Sequence, residues 1–412
     1  QSVGYPEPNF SHFRAADIYT SGSGSKQVID SGWIGRYLGE EYANFPVEYP
    51  NTVMPDPLAI QIGSFISPVL QGPSVSMGMA IADPVNFYNL VNGIQSPAPN
   101  THAGKELTYI RQVSRQTQKY GDVIKQAAGK VTQQKVYPKN NGLADQLKIV
   151  ARLIAGGLKT RVYMVSIGSF DTHASQVNTS AKETGQHASL LMKTSDAIKA
   201  FTDDLKALGV SKRVAGMTFS EFGRRIKSNA SDGTDHGAAA PMFVFGDYVQ
   251  KGVLGTSPII SPTVSVNDNL PMQYDFRSVY ATILKNWFCA SDDTLNNVML
   301  NGFQNLPVFK NNTPCVSSSV HEVNVASGEN LVTNYPNPFQ SSTTVEYKSK
   351  GGRVLIQIFD VQGRLMKTLV DANKEEGSYS VTLENEGYTP GVYYARFQNE
   401  ALQQVRTMMV AR

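Results

Sequence analysis

The chain has 412 residues, 41% of them hydrophobic, which is enough for two or three domains with sizeable cores. Its 37 basic and 34 acidic residues leave a net charge of only +3, which argues against nucleic acid or an anionic membrane surface as a partner. No stretch approaches the roughly 18 apolar residues of a membrane span, and two cysteines exclude a disulfide-rich scaffold or a four-thiolate zinc site.

The first part of the chain, to about residue 145, is rich in turns. It begins at Gln1 without an initiator Met, a basic segment or the apolar core of a signal peptide, which predicts a processed or truncated chain. One helix is predicted over 31–38, with Ser31 as its N-cap. A second, long and polar, is predicted over about 106–130 on the surface.

Helices and short buried strands alternate in the next part of the chain. The predicted elements are helix 141–158, strand 161–168, helix 184–208, strand 213–220, strand 241–246 and helix 274–288. This alternation predicts an α/β domain in which helices cover a largely parallel sheet. We expect the domain to span residues 1–308.

A second module follows a linker. Ser, Asn and Gly dominate residues 309–330, which have no regular period. Residues 331–412 then contain only short strands and turns, which predicts an immunoglobulin-like β-sandwich. The predicted strands are 343–348, 354–359, 365–369, 379–383, 392–398 and 404–410, with turns at 360–363, 376–377 and 389–391.

The C-terminal module resembles the sorting domain of bacterial type IX secretion cargo. The matching motifs, in order, are YPNPF (335–339), TVEY (344–347), VLIQIFDVQGR (354–364), GSY (377–379), GVYYAR (391–396) and MMVAR (408–412). The resemblance implies export across an outer membrane by the type IX translocon and its shuttle, to the cell surface or the medium. It also implies that the module is usually removed later.

Three polar clusters follow the predicted strands of the α/β domain. They contain the candidate site residues Asp171, His173, Glu221, Arg224, Asp235 and His236. In an open α/β sheet, ligands collect beyond the carboxyl ends of the strands, where these clusters should lie. Carboxylates with neutral imidazoles suit Zn or Mn and, with fewer histidines, Ca or Mg. An arginine beside them can hold a sulfate or phosphate group with two donors.

These segments resemble an uncharacterised secreted family related to sulfatases and the alkaline phosphatase superfamily, over about residues 8–290. The shared motifs are DTH (171–173), SEFGR (220–224) and GTDHG (233–237), with SHF (11–13), SGWIGRYL (31–38) and DFRSVY (275–280) around them. The resemblance implies a sulfatase-like fold and a divalent metal ion, Zn, Mn, Ca or Mg. The implied metal ligands are Asp171, His173, Glu221, Asp235 and His236, and Arg224 would assist catalysis. Glu221 stands where relatives carry Asp-His, which implies an altered metal position.

Hydrolases of that superfamily also need a nucleophile beside an Asp ligand, just after their first strand. Residues 1–30 offer no strand followed by such a pair. We therefore expect the first strand of the domain, and the nucleophile with it, to lie upstream of Gln1.

Structural roles would explain the same clusters without chemistry. Asp171 can cap a following helix, and an Asp-His pair between glycines can brace a loop. Glu221 and Arg224 can form an ion pair with each other. His12 is expected to be structural, while His187 is expected either to bind metal or merely to form a hydrogen bond.

The two cysteines also leave two alternatives open. Cys289 and Cys315 can form a disulfide in an exported protein, or both can remain buried thiols.

Three functions compete at this stage. The first is a secreted metal-dependent hydrolase of sulfate or phosphate esters. The second is a catalytically inactive surface protein, structural or binding, on a hydrolase-like scaffold, which the low charge and the missing nucleophile favour. The third, a carbohydrate-binding adhesin, rests only on aromatic content. The expected partners are the type IX machinery and a surface polymer or a sulfated or phosphorylated substrate.

Overall fold

The computed structural model describes residues 1–83, 101, 120–311, 313, 332–360, 365–399 and 402–411. The chain divides into two compact units, Gln1–Ser317 and Ser318–Arg412. The first unit mixes helices with short strands, and the described part of the second unit is all-β. This confirms the predicted secondary-structure class of each unit. A sulfatase-like arrangement of the first unit stays a prediction.

The first unit contains seven α-helices, two single-turn 3-10 helices and ten short strands among its described residues. The helices are α1 (His12–Ser21), α2 (Trp33–Glu41), α3 (120–130), α4 (Gly142–Ala155), α5 (Gln186–Ala207), α6 (Phe276–Asn286) and α7 (Asp292–Met299). The strands are β1 (Ser2–Gly4), β2 (Ala59–Ile62), β3 (Gly78–Ile81), β4 (Val162–Met164), β5 (Ala215–Met217), β6 (Gly223–Arg224), β7 (His236–Gly237), β8 (Ala240–Pro241), β9 (Val244–Gly246) and β10 (Tyr274–Asp275).

Several helix ends follow the capping chemistry of the sequence. Asn141 caps α4 with its side chain. Asp275 caps α6 and also pairs with the Arg277 guanidinium at 2.6 Å. The prediction that Ser31 caps α2 is wrong by one residue, because the helix begins after Gly32. The Ser31 carbonyl instead accepts a hydrogen bond from Arg36.

The first unit contains a three-stranded parallel sheet, in the order β3-β2-β4. The predicted parallel pairing is confirmed here. Its core joins Ile60 of β2 to side chains of α3, α4 and α5: Ile124, Ala128, Leu147, Leu153 and Phe201. The prediction of a polar surface helix is therefore wrong for α3, which buries one face. Residues 106–119 lie outside the described residues.

The remaining predicted strands do not join a parallel sheet. β5 pairs with β9 in antiparallel orientation, and β1 lies between β10 and an antiparallel β8. The reason lies in the connection, since parallel neighbours need a long crossover that is usually helical. Residues 218–243, which join β5 to β9, contain no helix and only the short strands β6, β7 and β8.

The described strands of the second unit form one curled sheet. They are β11 (Val332–Tyr335), β12 (Ser342–Asp360), β13 (Leu365–Glu384), β14 (Gly391–Asn399) and β15 (Leu402–Val410). β12 pairs with β13 on one edge and with β11 and then β14 on the other, and β14 pairs with β15. Buried and exposed residues alternate along β12, and the alternation shifts by one residue at Gly351 and Gly352. Both residues have positive φ values, which glycine adopts readily.

The predicted two-layer sandwich is thus not what these strands form. Predicted strands 343–348 and 354–359 belong to one long strand, as do 365–369 and 379–383. Glu376 and Gly377 are paired within β13 and do not turn the chain. Alternating apolar residues still face a single core that includes Val345, Ile356, Leu383 and Phe397.

Two further expectations concern the membrane and the cysteines. No helix in the described part of the chain is long and apolar enough to cross a membrane. Cys289 is disulfide-bonded, in line with one of the two alternatives. Cys315 and most of the predicted linker lie outside the described residues.

Candidate functional site

The six candidate residues predicted from sequence meet where loops of the first unit converge. The loop after β4 carries Asp171 and His173. The connection between β5 and β9 carries the other four, and it folds back through the ribbon β6–β7, in which Arg224 lies opposite His236. The amino end of α1 adds His12, next to its N-cap. Segments far apart in sequence thus build one cluster.

Asp171 lies at the centre of the cluster. Its Oδ1 lies 2.7 Å from Arg224 Nη1 and 3.0 Å from Nε2 of both His173 and His236. Its Oδ2 lies 3.1 Å from His12 Nε2. Partial burial acts to raise the pKa of Asp171, but hydrogen bonds from Arg224 and His236 and the nearby imidazoles outweigh it and lower the pKa to about 2. Asp171 is therefore ionised at neutral pH.

His173 and His236 turn their Nε2 atoms toward each other, 2.9 Å apart. His236 Nδ1 lies 2.7 Å from the Phe10 carbonyl oxygen, which can only accept, so Nδ1 carries the proton. His173 Nδ1 lies 3.1 Å from Asp235 Oδ1, an acceptor of the same kind. When both rings are neutral, each Nε2 atom therefore carries a lone pair, and these two lone pairs and Asp171 Oδ1 face one another.

Three electron-rich atoms at this separation repel one another unless a cation lies among them. A proton can provide this positive charge, if His173 is doubly protonated and donates to both Asp235 and His236. A metal ion can serve as well. Metal-binding histidines characteristically donate their second ring N–H to a carboxylate or a backbone carbonyl, as His173 and His236 are placed to do here.

His12 links the two sides of the cluster. Its Nδ1 lies 3.1 Å from Glu221 Oε1 and its Nε2 3.1 Å from Asp171 Oδ2. His12, Asp171 and His236 each offer a ligand atom within 4.8 Å of the others. The structural role expected for His12 stays a prediction, but its place in the cluster was not predicted from the sequence. The SHF motif was the one available signal, and no spacing rule connects it to residue 171.

Arg224 holds Asp171 in place. Its Nη1 donates to Asp171, its Nε to Thr234 Oγ1 at 3.2 Å, and its Nη2 to the Thr234 carbonyl oxygen. The alternative of a Glu221–Arg224 ion pair is not what the structure has, since Glu221 contacts His12 and accepts from the Ser220 hydroxyl. The expected anion-holding role of Arg224 stays a prediction.

Neighbouring residues fix the loops that carry the cluster. Asn229 donates to both the His173 carbonyl and Asp235 Oδ1. At Gly233, an added Cβ would lie 2.1 Å from the His173 carbonyl oxygen, so only glycine lets the two loops approach this closely. Asp171 caps no helix, because the next helix, α5, begins only at Gln186. That structural alternative is wrong.

The cluster is open to solvent and negatively charged. The side chains of Asp171, His173 and Asp235 are between 41% and 47% exposed. Three carboxylates against the two guanidinium groups of Arg224 and Arg225 leave an excess of negative charge when the histidines are neutral, which favours a cation. The exposure leaves room for a further ligand or substrate beside such an ion.

His187 lies apart from these contacts. Its ring meets Phe170 edge-on, with ring centroids 6.0 Å apart. Burial, and secondarily the charge of Arg224, lowers its pKa. Its Nδ1 is buried and has no hydrogen-bond partner among the described residues. The metal-binding alternative for His187 stays a prediction.

Comparison with known proteins adds two family matches. A family described as "Protein of unknown function (DUF1501)" matches residues 2–296, and the "Secretion system C-terminal sorting domain" matches residues 333–411. No curated protein matches the sequence. The second match confirms the resemblance of the C-terminal module. It indicates a secreted or cell-surface protein that interacts with the type IX secretion machinery.

Proposed function

The chain belongs to the DUF1501 family of unknown function, and from that premise we propose that its first unit is an extracellular metal-dependent hydrolase of sulfate or phosphate esters. The proposal keeps the sulfatase-like interpretation of motifs 171–173, 220–224 and 233–237. The sorting domain supplies the location at which the enzyme would act.

One observation carries the proposal. Asp171 Oδ1, His173 Nε2 and His236 Nε2 lie 2.9–3.0 Å from one another, with both Nδ1 atoms next to acceptors. These three atoms would hold one divalent ion, because they lie close enough together to reach it at ligand distances of about 2.1 Å. Two imidazoles and one carboxylate favour Zn or Mn over Ca or Mg, which prefer oxygen ligands.

The chain's own residues would prepare the centre. Asp235 and the Phe10 carbonyl orient the two imidazoles, and Arg224 fixes the Asp171 carboxylate. Glu221 contacts Nδ1 of His12, and Nε2 of the same ring contacts Oδ2, the second carboxylate oxygen of Asp171. When bound, the metal ion would supply a Lewis acid for the ester oxygen. Hydrolysis would also require the nucleophile that the resemblance implies.

A second candidate, an inactive surface protein on the same scaffold, has one specific observation in its favour. All three nitrogens of the Arg224 guanidinium already donate to Asp171 or Thr234. Three of the five N–H groups of Arg224 are thus used inside the protein, which leaves at most two for an anionic substrate. A metal centre without turnover would fit this function.

Metal content and ester hydrolysis test both candidates. Full-length protein purified without chelator should contain about one Zn or Mn per chain and hydrolyse 4-nitrophenyl sulfate or phosphate. Asp171→Asn should lose both, while Asp203→Asn, an exposed change on α5, should lose neither. Metal without hydrolysis supports the inactive protein. Absence of metal after Zn, Mn, Ca and Mg have been offered refutes the metal centre.

A further inference from the structure

Phe222 packs against two histidines of the cluster, although it has no polar atom in its side chain. It belongs to motif 220–224, directly before β6, and its side chain is buried. Its ring lies nearly parallel to the His236 imidazole, with an interplanar angle of 25° and ring centroids 4.0 Å apart. The same ring contacts the imidazole of His12, with centroids 4.9 Å apart and an angle of 53°. One apolar ring thus borders two of the polar ones.

The imidazole of His236 needs such a neighbour to keep its plane. The terminal torsion of a histidine side chain has broad, roughly two-fold minima, so it does not fix the ring by itself. The contact of Nδ1 with the Phe10 carbonyl oxygen holds one ring atom, and the ring can still tilt about that contact. A flat face at stacking distance limits this tilt. Nε2 of His236 then stays 3.0 Å from Asp171 Oδ1.

His12 depends on the same support. Its ring meets that of His236 edge-on, at an angle of 77° with centroids 4.6 Å apart, so the two imidazoles and Phe222 pack as one set of three rings. His12 is the more exposed of the two histidines, with 43% of its side chain accessible against 16% for His236. Carboxylate oxygens of Glu221 and Asp171 contact the edge of the His12 ring, and Phe222 covers part of its face.

We propose that Phe222 is a positioning residue, which fixes the ring planes of His12 and His236 and so keeps both Nε2 atoms directed at Asp171. A phenyl ring supplies no ligand atom and no proton, so it can act only through the two imidazoles. A site works when packing locks its side chains within about 10–20° of the productive geometry. The consequence for metal binding rests on the proposed function, because ligands that are already ordered lose less entropy when an ion binds.

Side-chain NMR of the full-length, metal-free protein tests whether Phe222 orders the two rings. The chain has only six histidines, so their ring signals can be resolved and assigned. Order parameters from ¹³C relaxation at the ring Cε1 atoms should be high for His12 and His236 in the wild type. Phe222→Leu, which keeps an apolar side chain but removes the flat ring, should lower both to below about 0.6. Phe222→Tyr, which keeps the ring, should leave both high.

Two controls separate ring positioning from a general loss of packing. Phe201→Leu removes a buried ring of α5 from the core around the sheet β3-β2-β4. It should lower the Tm, as Phe222→Leu does, and leave His12 and His236 ordered. His187, which lies apart from the contacts of the cluster, should keep its wild-type order parameter in every variant.

The affinity for Zn is measured on the same four proteins by competition with a chelating dye. Phe222→Leu should raise the Kd about 10–100-fold, the usual effect of removing a residue that orients a ligand, whereas Phe222→Tyr and Phe201→Leu should keep the wild-type Kd. This measurement separates the two proposals. If the wild type binds neither Zn nor Mn while Phe222→Leu loosens both rings, the proposed metal centre is wrong and the positioning role holds.

The positioning role is overturned if the rings of His12 and His236 are mobile in the wild type, a result that requires no variant to fold. It is also overturned if both rings stay ordered in Phe222→Leu, or if Phe201→Leu loosens them equally. An unchanged Kd for Zn in a Phe222→Leu protein with loosened rings would overturn the consequence for metal binding.

Discussion

Metal binding should stabilise the first unit by an amount that the fold allows us to estimate. A ligand at a concentration 100 times its Kd stabilises the folded state by about 2.7 kcal/mol. The unfolding entropy of a unit that spans Gln1–Ser317 is about 0.7 kcal/mol per degree, from about 2.1 cal/mol/K per residue. Saturation with Zn or Mn should therefore raise the Tm of this unit by about 4 °C.

Tryptophan fluorescence follows this unit without interference from the second one. The chain has two tryptophans, and both Trp33 and Trp287 are buried in the first unit. Asp171→Asn should abolish the rise in Tm, because an amide replaces the charged oxygen that contacts His173 and His236. Asp203→Asn should keep the rise, because its carboxylate pairs with Lys199 on the surface.

The reasoning fails if neither Zn nor Mn shifts the transition of the wild-type protein by more than about 1 °C. It also fails if Asp171→Asn responds as strongly as the wild type, because the ion would then bind elsewhere. Loss of the response in Asp203→Asn would point to nonspecific binding of cations by surface carboxylates.

Three further outcomes follow from the structure. Arg224→Met should raise the pKa of Asp171 from about 2 toward its ordinary value in ¹³C NMR titrations, because a hydrogen bond to the ionised form is lost; an unchanged pKa contradicts this. Arg36→Met should lower the free energy of unfolding of the first unit by about 3 kcal/mol, since buried Arg36 donates to three backbone carbonyls; urea titration showing under 1 kcal/mol contradicts it. Ile356→Ala should cost the second unit about 2–5 kcal/mol by circular dichroism, and exposed Glu346→Ala about 0.5 or less; equal losses would show that the curled core is not as described.

The sequence predicted the residue types of the cluster better than their contacts. Polar motifs after buried strands identify Asp171, His173, Asp235 and His236, because loops at strand ends are where such residues converge. The inclusion of His12 depends on how α1 packs against the ribbon β6–β7. That packing is tertiary, and no local period or spacing records it.

The fold shows the same division between local and long-range information. Helices α4, α5 and α6 follow from their apolar periods and caps, which are local. The antiparallel pairing of β5 with β9 depends on the connection between them. This connection is irregular, and its sequence does not show whether the strand that follows runs parallel or antiparallel to the strand before it. The sequence predicts two short strands where the structure has each of the long strands β12 and β13, with breaks near Gly351 and Gly377. The reason is that glycine is typical of bulges within strands as well as of turns.

The charges of the cluster impose an order of events on any chemistry with anionic esters. Without a metal ion, three carboxylates outweigh the guanidinium groups of Arg224 and Arg225, and the Arg224 guanidinium already donates to Asp171 and Thr234. Such a surface repels sulfate and phosphate groups. A divalent ion beside Asp171 would cancel the excess negative charge. Ester binding at this site should therefore require prior metal binding, so a metal-free preparation that binds sulfate or phosphate here would contradict this order.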